Sequence, residues 1–105
     1  MNHEMTARQF HRSGNSCAAS VYRAFSDLHG GSGSVPVPRS EGGKCGAVLS
    51  AEKILREYGA GSTEKFEELF IARFGSLKCS DLLSRGYGCN EYIGHAAALV
   101  DDLLA

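Results

Sequence analysis

Apolar residues spaced by threes and fours, in stretches separated by glycine-rich breaks, are the strongest constraint on the fold of this 105-residue chain. That spacing places apolar side chains along one face of a helix. Val, Ile and Thr are sparse, and no stretch of strand length alternates between apolar and polar residues, which argues against a sheet. The sequence therefore predicts a compact all-α bundle of about five helices, forming a single domain over residues 1–105.

Capping residues and breakers predict where these helices begin and end. Asn15 or Ser16 can cap the second helix, and Gly59 ends the third. Leu28 and Tyr58 are among the residues expected to face the core. The Gly/Ser/Pro-rich residues 30–44 are predicted to be a loop. The predicted helices cover about 3–12, 17–28, 45–58, 63–74 and 89–104, with a short helical turn over 79–83.

The charge and hydropathy patterns exclude several classes of protein. The formal net charge is -1, and no basic stripe is visible, so nucleic acid is not an expected partner. No run of about 18 apolar residues could span a membrane, and the N-terminal residues contain no stretch typical of a signal peptide. A cytoplasmic protein is expected. In that reducing compartment its cysteines would be thiols, metal ligands or a switching pair rather than permanent disulfides.

The placement of the cysteines is the most informative functional feature. A helix N-terminus has unpaired N–H groups and a partial positive charge, which lower the pKa of a thiol placed there. Lys44 and Lys78 are expected to act in the same direction, because each directly precedes a cysteine. Every cysteine opens a predicted helix or helical turn, and three of them follow a glycine-containing break: Cys17, Cys45, Cys79 and Cys89.

The spacing of these cysteines matches no common local motif. The closest pair, Cys79 and Cys89, is ten residues apart, so the patterns of zinc ribbons, thioredoxins and bacterial ferredoxins are excluded. A free cysteine is often a small buried filler, but fillers have no reason to prefer helix starts. We therefore expect tertiary folding to gather the four into one redox-active or metal-binding site. The histidines are scattered, without metal-ligand spacing: His3, His11, His29 and His95.

The context of the four cysteines resembles a known family. The chain is similar to the redox-active proteins named for their cysteine signature, C_GCAxxG_C_C. In that signature a Cys-Ala helix start is followed by a Cys-Gly-Ala block, a Phe-rich helix, a Gly-Ser-x-x-Cys and a last Cys that opens the terminal helix. The resemblance extends from about residue 7 to the end. The matching segments are GNSCAASVYRAF, GGKCGAVLSAEKIL, FEELFIARFGSLKCSDLL and CNEYIGHAAALVDDLL.

The resemblance implies a redox role and an iron–sulfur cluster. A related domain occurs in split-Soret cytochromes, where the cysteines are associated with an iron–sulfur centre. The resemblance implies that the same four cysteines bind the cofactor and ligate its metal: Cys17, Cys45, Cys79 and Cys89. One departure is Ser50, which stands where the family usually has a glycine. Because serine is also small, close helix packing at that position is still expected.

Three functions of different classes remain open from the residues. The first is electron transfer through an iron–sulfur cluster, with a redox partner protein that the sequence does not name. The second is thiol–disulfide chemistry without metal, and the third is a structural zinc site in a partner-binding protein. The apolar terminal helix, ending in VDDLLA, also predicts burial against a second copy of the chain in a homodimer.

Overall fold

The fold consists of helices joined by short connections. A computed structural model describes residues 3–30, 35, 40–59 and 62–104. Within those ranges the one β-contact is an isolated bridge between Lys44 and Lys78, so the prediction of an all-α fold is confirmed. The helical segments are α1 (His3–Arg12), α2 (Cys17–Ala24), α3 (Ser26–His29), α4 (Ser40–Gly43), α5 (Gly46–Tyr58), α6 (Thr63–Phe74), α7 (Cys79–Ser84) and α8 (Cys89–Leu104).

Helix α8 lies at the centre of the bundle. It packs against α1, α2, α5 and α6, and α5 also packs against α2 and α6. The apolar residues at intervals of three and four supply the buried faces, as the sequence pattern predicts. The fully buried large side chains include Phe25, Ile54, Leu55, Phe66, Phe70 and Ile93. Of the described helices, none is long and apolar enough to cross a membrane.

Aromatic rings form one layer of the core between α6 and α8. Phe70 lies 5.7 Å from Phe66 and 4.9 Å from Phe74, measured between ring centroids, because these residues are one helical turn apart. Phe74 makes edge-on contacts with Tyr92 at 4.7 Å and with His95 at 5.2 Å. His95 is thus part of this aromatic layer, and burial lowers its pKa.

Two parts of the predicted helix pattern are wrong. The second predicted helix is broken at Phe25 into α2 and α3, because this buried residue leaves helical geometry (φ -100°, ψ 24°) and stacks on His3 of α1. Beyond the break the helical register is lost, and Leu28 is 39% exposed rather than buried. Tyr58, the last residue of α5, is 43% exposed because it lies beyond the edge of the core.

The predicted loop over residues 30–44 is partly helical. Ser40–Gly43 form the single turn α4 immediately before Lys44. Positive backbone φ angles at Gly42 and Gly43, both 81°, let the chain leave this turn towards Cys45. The rest of the predicted loop, apart from Gly30, Val35 and Lys44, lies outside the described residues.

Candidate functional site

Each of the four cysteines lies at a helix start. Cys17, Cys79 and Cys89 are the first residues of α2, α7 and α8, and Cys45 is the N-cap residue of α5. Ser16 caps α2 by accepting a hydrogen bond from the Ala19 N–H at 3.2 Å. The placement predicted from the breakers and capping residues is therefore correct at all four positions.

The structure brings the four predicted site residues to one cavity. All four are free cysteines, and they line a cavity of about 290 Å³. A cavity needs only about 10–15 Å³ to hold one water molecule, so this one has room for a much larger group. Cys45 is buried, and the other three cysteines are half-buried. The remaining wall of the cavity consists of His11, Ser16, Gly46, Leu82, Leu83 and Tyr92.

A close crossing of α2 and α5 brings Cys17 next to Cys45. At Gly46, a Cβ atom would lie 3.0 Å from the Ala18 nitrogen and 3.1 Å from the Ala18 Cβ. The missing side chain therefore lets α2 approach the start of α5, and the cysteines preceding these two residues meet. One turn further along α5, the buried Ser50 hydroxyl donates a hydrogen bond to the Ala18 carbonyl at 2.7 Å.

Removal of the Ser50 hydroxyl tests this crossing. Ser50→Ala is expected to lower the free energy of unfolding by about 1–2 kcal/mol, since it leaves a buried carbonyl without this donor. Chemical denaturation of the two proteins would measure the difference. Ser80→Ala, at an exposed position on α7, is the control and should change stability by less than about 0.5 kcal/mol. Equal stabilities of Ser50→Ala and the parent protein would contradict the role of this hydrogen bond.

The starts of α5 and α7 are held side by side by backbone contacts. Lys44 and Lys78 form the antiparallel bridge, and the Cys45 N–H donates to the Leu77 carbonyl at 2.9 Å. These contacts bring together the segments that present Cys45 and Cys79. The Tyr92 hydroxyl donates to the carbonyl of Leu82 and so ties α8 to α7.

The thiols of the cavity have unequal proton affinities. The pKa of Cys45 is lowered to about 7, because it accepts a hydrogen bond from Cys17 and from the backbone N–H groups of Ala47 and Val48, although burial acts in the opposite direction. The pKa of Cys17 is raised by its hydrogen bond to Cys45, by burial and by the negative charge of Cys89. Cys45 is therefore the thiolate of the pair and Cys17 its proton-bearing partner.

This asymmetry predicts which thiol reacts first in the metal-free protein. Cys45 should be alkylated fastest by iodoacetamide, with a rate that reaches half its maximum near pH 7. Mass spectrometry after short pulses at several pH values would give the rate at each cysteine. Cys17→Ala should move the Cys45 midpoint to higher pH, because the donor is lost, whereas Cys79→Ala should leave it unchanged. Equal midpoints at all four cysteines would contradict the assignment.

The charge of Lys44 is not directed at Cys45. Its ammonium donates to Glu52 at 3.1 Å and to Glu67 at 2.9 Å, so the predicted influence of Lys44 on the adjacent thiol is wrong. Glu52 is only 2% exposed, and burial together with Glu67 raises its pKa to about 7. The pKa of Glu67 is lowered by its hydrogen bonds to Glu52 and Lys44. These three side chains join the segment before Cys45 to α5 and α6.

Glu52 makes stability depend on pH in a defined direction. Its pKa is higher in the folded state than in the unfolded chain, so folding takes up a proton between the two values, and stability falls as pH rises. Relative to Glu52→Gln, the parent protein should lose about 2 kcal/mol of unfolding free energy between pH 5 and pH 8. Denaturation of both proteins across this range measures the difference. The contributions of the histidines to the pH dependence cancel in it, because both proteins contain the same histidines. A constant difference would contradict the raised pKa.

The cavity wall includes residues that the sequence does not mark as part of the site, among them His11 and Tyr92. His11 lies in the last turn of α1, where its Nδ1 contacts the Asn90 side-chain amide at 3.3 Å. Asn90 in turn accepts a hydrogen bond from the Arg8 guanidinium at 3.2 Å. Nothing in the local sequence marks His11, because only the packing of α1 on α8 brings it to the cysteines.

The thiols contact one another in this structure, as in the hydrogen bond that Cys17 donates to Cys45. Among the described residues, no group of three or more His, Cys, Asp or Glu side chains has an arrangement that could hold a metal ion.

Comparisons with models of known protein families, with curated proteins and with solved structures find no match. The cavity and its four thiols are therefore the features of this chain that bear on its function.

Proposed function

We propose that the four cysteines bind an iron–sulfur cluster and that the protein transfers electrons through it. The observation that supports this proposal most strongly is that four free thiols from four separate helix starts line one cavity. Four thiolates are the usual ligand set of [2Fe–2S] and [4Fe–4S] clusters. The resemblance to the C_GCAxxG_C_C proteins favours the same cofactor, with Cys17, Cys45, Cys79 and Cys89 as ligands.

Among the described residues the four thiols do not form a single-ion site as they stand, so cluster binding would turn their side chains towards a shared centre in the cavity. The electrostatics of the cavity favour a positively charged centre there. Without one, Cys17 holds its proton, because its hydrogen bond to Cys45, its burial and the negative charges of Cys89 and Cys45 raise its pKa. Iron between the sulfurs would displace this proton, because a coordinating thiol is deprotonated by the metal. Ser16, His11 and the apolar side chains of the wall bring no carboxylate to compete with sulfur for iron.

The surrounding residues would set the properties of a bound cluster. A bound cluster supplies one-electron chemistry at a potential that depends on hydrogen bonds to sulfur and on solvent exposure. The N–H groups of Ala47 and Val48 already point at the Cys45 sulfur. Leu82 and Tyr92 are buried and shield one side of the cavity from water.

A reductive titration tests electron transfer directly. Anaerobic protein should take up one electron per bound cluster in a reversible coulometric titration, with no change in the number of free thiols. Electron paramagnetic resonance would follow the cluster through the titration. Uptake of no electrons, or of two electrons accompanied by two new thiols, would reject the cluster as the redox group. A zinc site gives no electron uptake, so the same titration separates that alternative.

Thiol–disulfide exchange is the second candidate, and one observation favours it. The Cys45 thiolate with Cys17 as its hydrogen-bond donor is the arrangement of an attacking thiol beside a resolving one. In this reaction Cys45 would attack a disulfide of the substrate protein, and Cys17 would release the reduced substrate by forming the Cys17–Cys45 disulfide. Cys79 and Cys89 take no part in this scheme, which distinguishes it from cluster binding.

The remaining expectations about assembly stay predictions. The predicted homodimer rests on the apolar terminal helix, and much of that apolar face is buried within the chain itself. Leu99 and Val100 are buried, and Leu103 and Leu104 are partly buried against the core. A redox partner protein, a cytoplasmic location and the lack of a nucleic-acid partner also remain untested.

A further inference from the structure

Residues 71–89 give the chain an uneven distribution of charge. This segment has a net charge of +2, whereas the whole chain has -1, so the remaining residues together have -3. The segment also contains Cys79 and Cys89 and runs along one side of the cysteine cavity. Its charged residues are three cations and one anion: Arg73, Lys78, Arg85 and Asp81.

The two arginines of this segment are held in place but not neutralised. The Arg73 guanidinium lies over the rings of Phe74 and Tyr87, at 5.2 and 5.6 Å from their centroids. The Arg85 guanidinium packs against Gly75, where a Cβ atom would lie only 2.9 Å from its central carbon. In the part of the chain that the structure describes, neither arginine has an ion-pair partner. Both line one open depression of about 500 Å³.

Exposed apolar side chains accompany these cations: Ile71 and Tyr87 line the same depression, and Leu83 lies two residues before Arg85. Ile71, Leu83 and Tyr87 are 44%, 58% and 47% exposed, and they are three of the six large apolar side chains exposed among the described residues. Leu83 also lines the cysteine cavity, and the Tyr87 ring lies 6.3 Å from Tyr92, which lines it as well. The surface formed by Ile71, Arg73, Leu83, Arg85 and Tyr87, here called the basic face, therefore borders the cavity.

We propose that the basic face is the docking surface for a redox partner protein with an acidic surface. This inference rests on the proposed electron-transfer function, because it names the partner of that same site. Arginine and tyrosine are the residue types enriched in interface centres, and a guanidinium binds a carboxylate through two parallel hydrogen bonds. The uneven charge would orient the molecule so that an acidic partner meets the side nearest the cysteines.

A small interface is sufficient for docking of an electron-transfer partner. Electron-transfer complexes bury less surface than stable assemblies and dissociate quickly. The basic face offers a few exposed apolar contacts beside its two arginines, which matches a transient complex. Because Leu83 and Tyr87 connect this surface to the wall of the cavity, a partner docked here would lie beside the thiols.

Carbodiimide cross-linking tests the location of docking. This reagent joins a lysine amine to a carboxylate that it touches, so the lysine used reports the face that binds. The probe would be an acidic plant-type ferredoxin, mixed with the holoprotein at low ionic strength. Peptide mapping should place most cross-links at Lys78, which lies within the segment, rather than at Lys53 or Lys65. When the reaction is carried out in 0.5 M NaCl, little product should form, since screening weakens attraction between exposed charges.

Charge reversal supplies the matched comparison. Arg73→Glu combined with Arg85→Glu should lower the cross-linking yield at Lys78 by about tenfold or more, within the range expected for electrostatic steering. Arg12→Glu combined with Arg56→Glu, at exposed positions on α1 and α5, changes the net charge by the same amount and should have a much smaller effect. Circular dichroism would verify that all variants are folded.

The outcomes separate this inference from the proposed function. Predominant cross-linking at Lys53 or Lys65, or an unchanged yield in the double reversal, would overturn the docking surface. Iron content, measured in the same protein preparation, reports on the cluster independently. A preparation that contains the cluster but does not cross-link at Lys78 rejects only the docking surface. Conversely, localised cross-linking by protein that contains no iron rejects the cluster.

Discussion

Replacement of Cys45 by serine is expected to remove most of the iron from anaerobically purified protein. Cys45 is the most buried of the four cysteines, its pKa is lowered to about 7, and Gly46 fixes its position against Cys17. Mutation of residues that only support a metal ligand often costs 10–100-fold in affinity, so loss of the ligand itself should cost at least about tenfold. Iron and acid-labile sulfide per chain, together with the visible spectrum, measure the effect.

The other cysteines and one apolar neighbour supply the comparison for Cys45→Ser. Under cluster binding, serine at Cys17, Cys79 or Cys89 should also lower iron content. Under thiol–disulfide exchange, serine at Cys79 or Cys89 should have little effect. Leu83→Ala changes the same cavity wall without removing sulfur, and should retain iron near the parent level. Parent-level iron in Cys45→Ser would contradict the proposed ligand set.

Truncation of Phe70 is expected to cause the largest loss of stability. This side chain is fully buried and contacts the rings of Phe66, Phe74 and Tyr92 in the layer between α6 and α8. Phe70→Ala should lower the free energy of unfolding by about 3–5 kcal/mol, because a large buried side chain is replaced by a cavity. For a domain of this size that corresponds to a fall of at least about 12 °C in melting temperature.

The next residue on the same helix is the control for Phe70. Ile71 is 44% exposed, so Ile71→Ala should cost less than about 1 kcal/mol. Thermal and urea denaturation of the metal-free proteins would compare the two variants without a contribution from bound metal. Similar losses in Phe70→Ala and Ile71→Ala would show that α6 does not pack as described.

The helices could be predicted from local sequence because their signals are local. Ser16 before Cys17 is a capping residue followed by an apolar periodicity, and the structure places a helix start there. The break at Phe25 could not be foreseen, because it depends on contact with His3, a residue distant in sequence. Leu28 follows that break, so its predicted burial failed for the same reason.

The cysteines of the candidate site could also be identified from sequence, whereas their surroundings could not. Glycine-containing breaks and helix starts marked the four positions one by one. The partners of Lys44 depend on the packing of α5 and α6, which turns its charge towards Glu52 and Glu67 instead of Cys45. His11 reaches the cavity through the packing of α1 on α8. Neither the partners of Lys44 nor the position of His11 has a signal in the local sequence.

The most direct test of cluster binding is the absorption spectrum and iron content of anaerobically purified parent protein. Cluster binding predicts a coloured protein with broad sulfur-to-iron absorption in the visible region, which decreases on reduction, and with iron and sulfide in equal amounts. Removal of the metal by a chelator should expose four thiols per chain, from Cys17, Cys45, Cys79 and Cys89. A colourless protein without iron, even after anaerobic reconstitution with iron and sulfide, would contradict it.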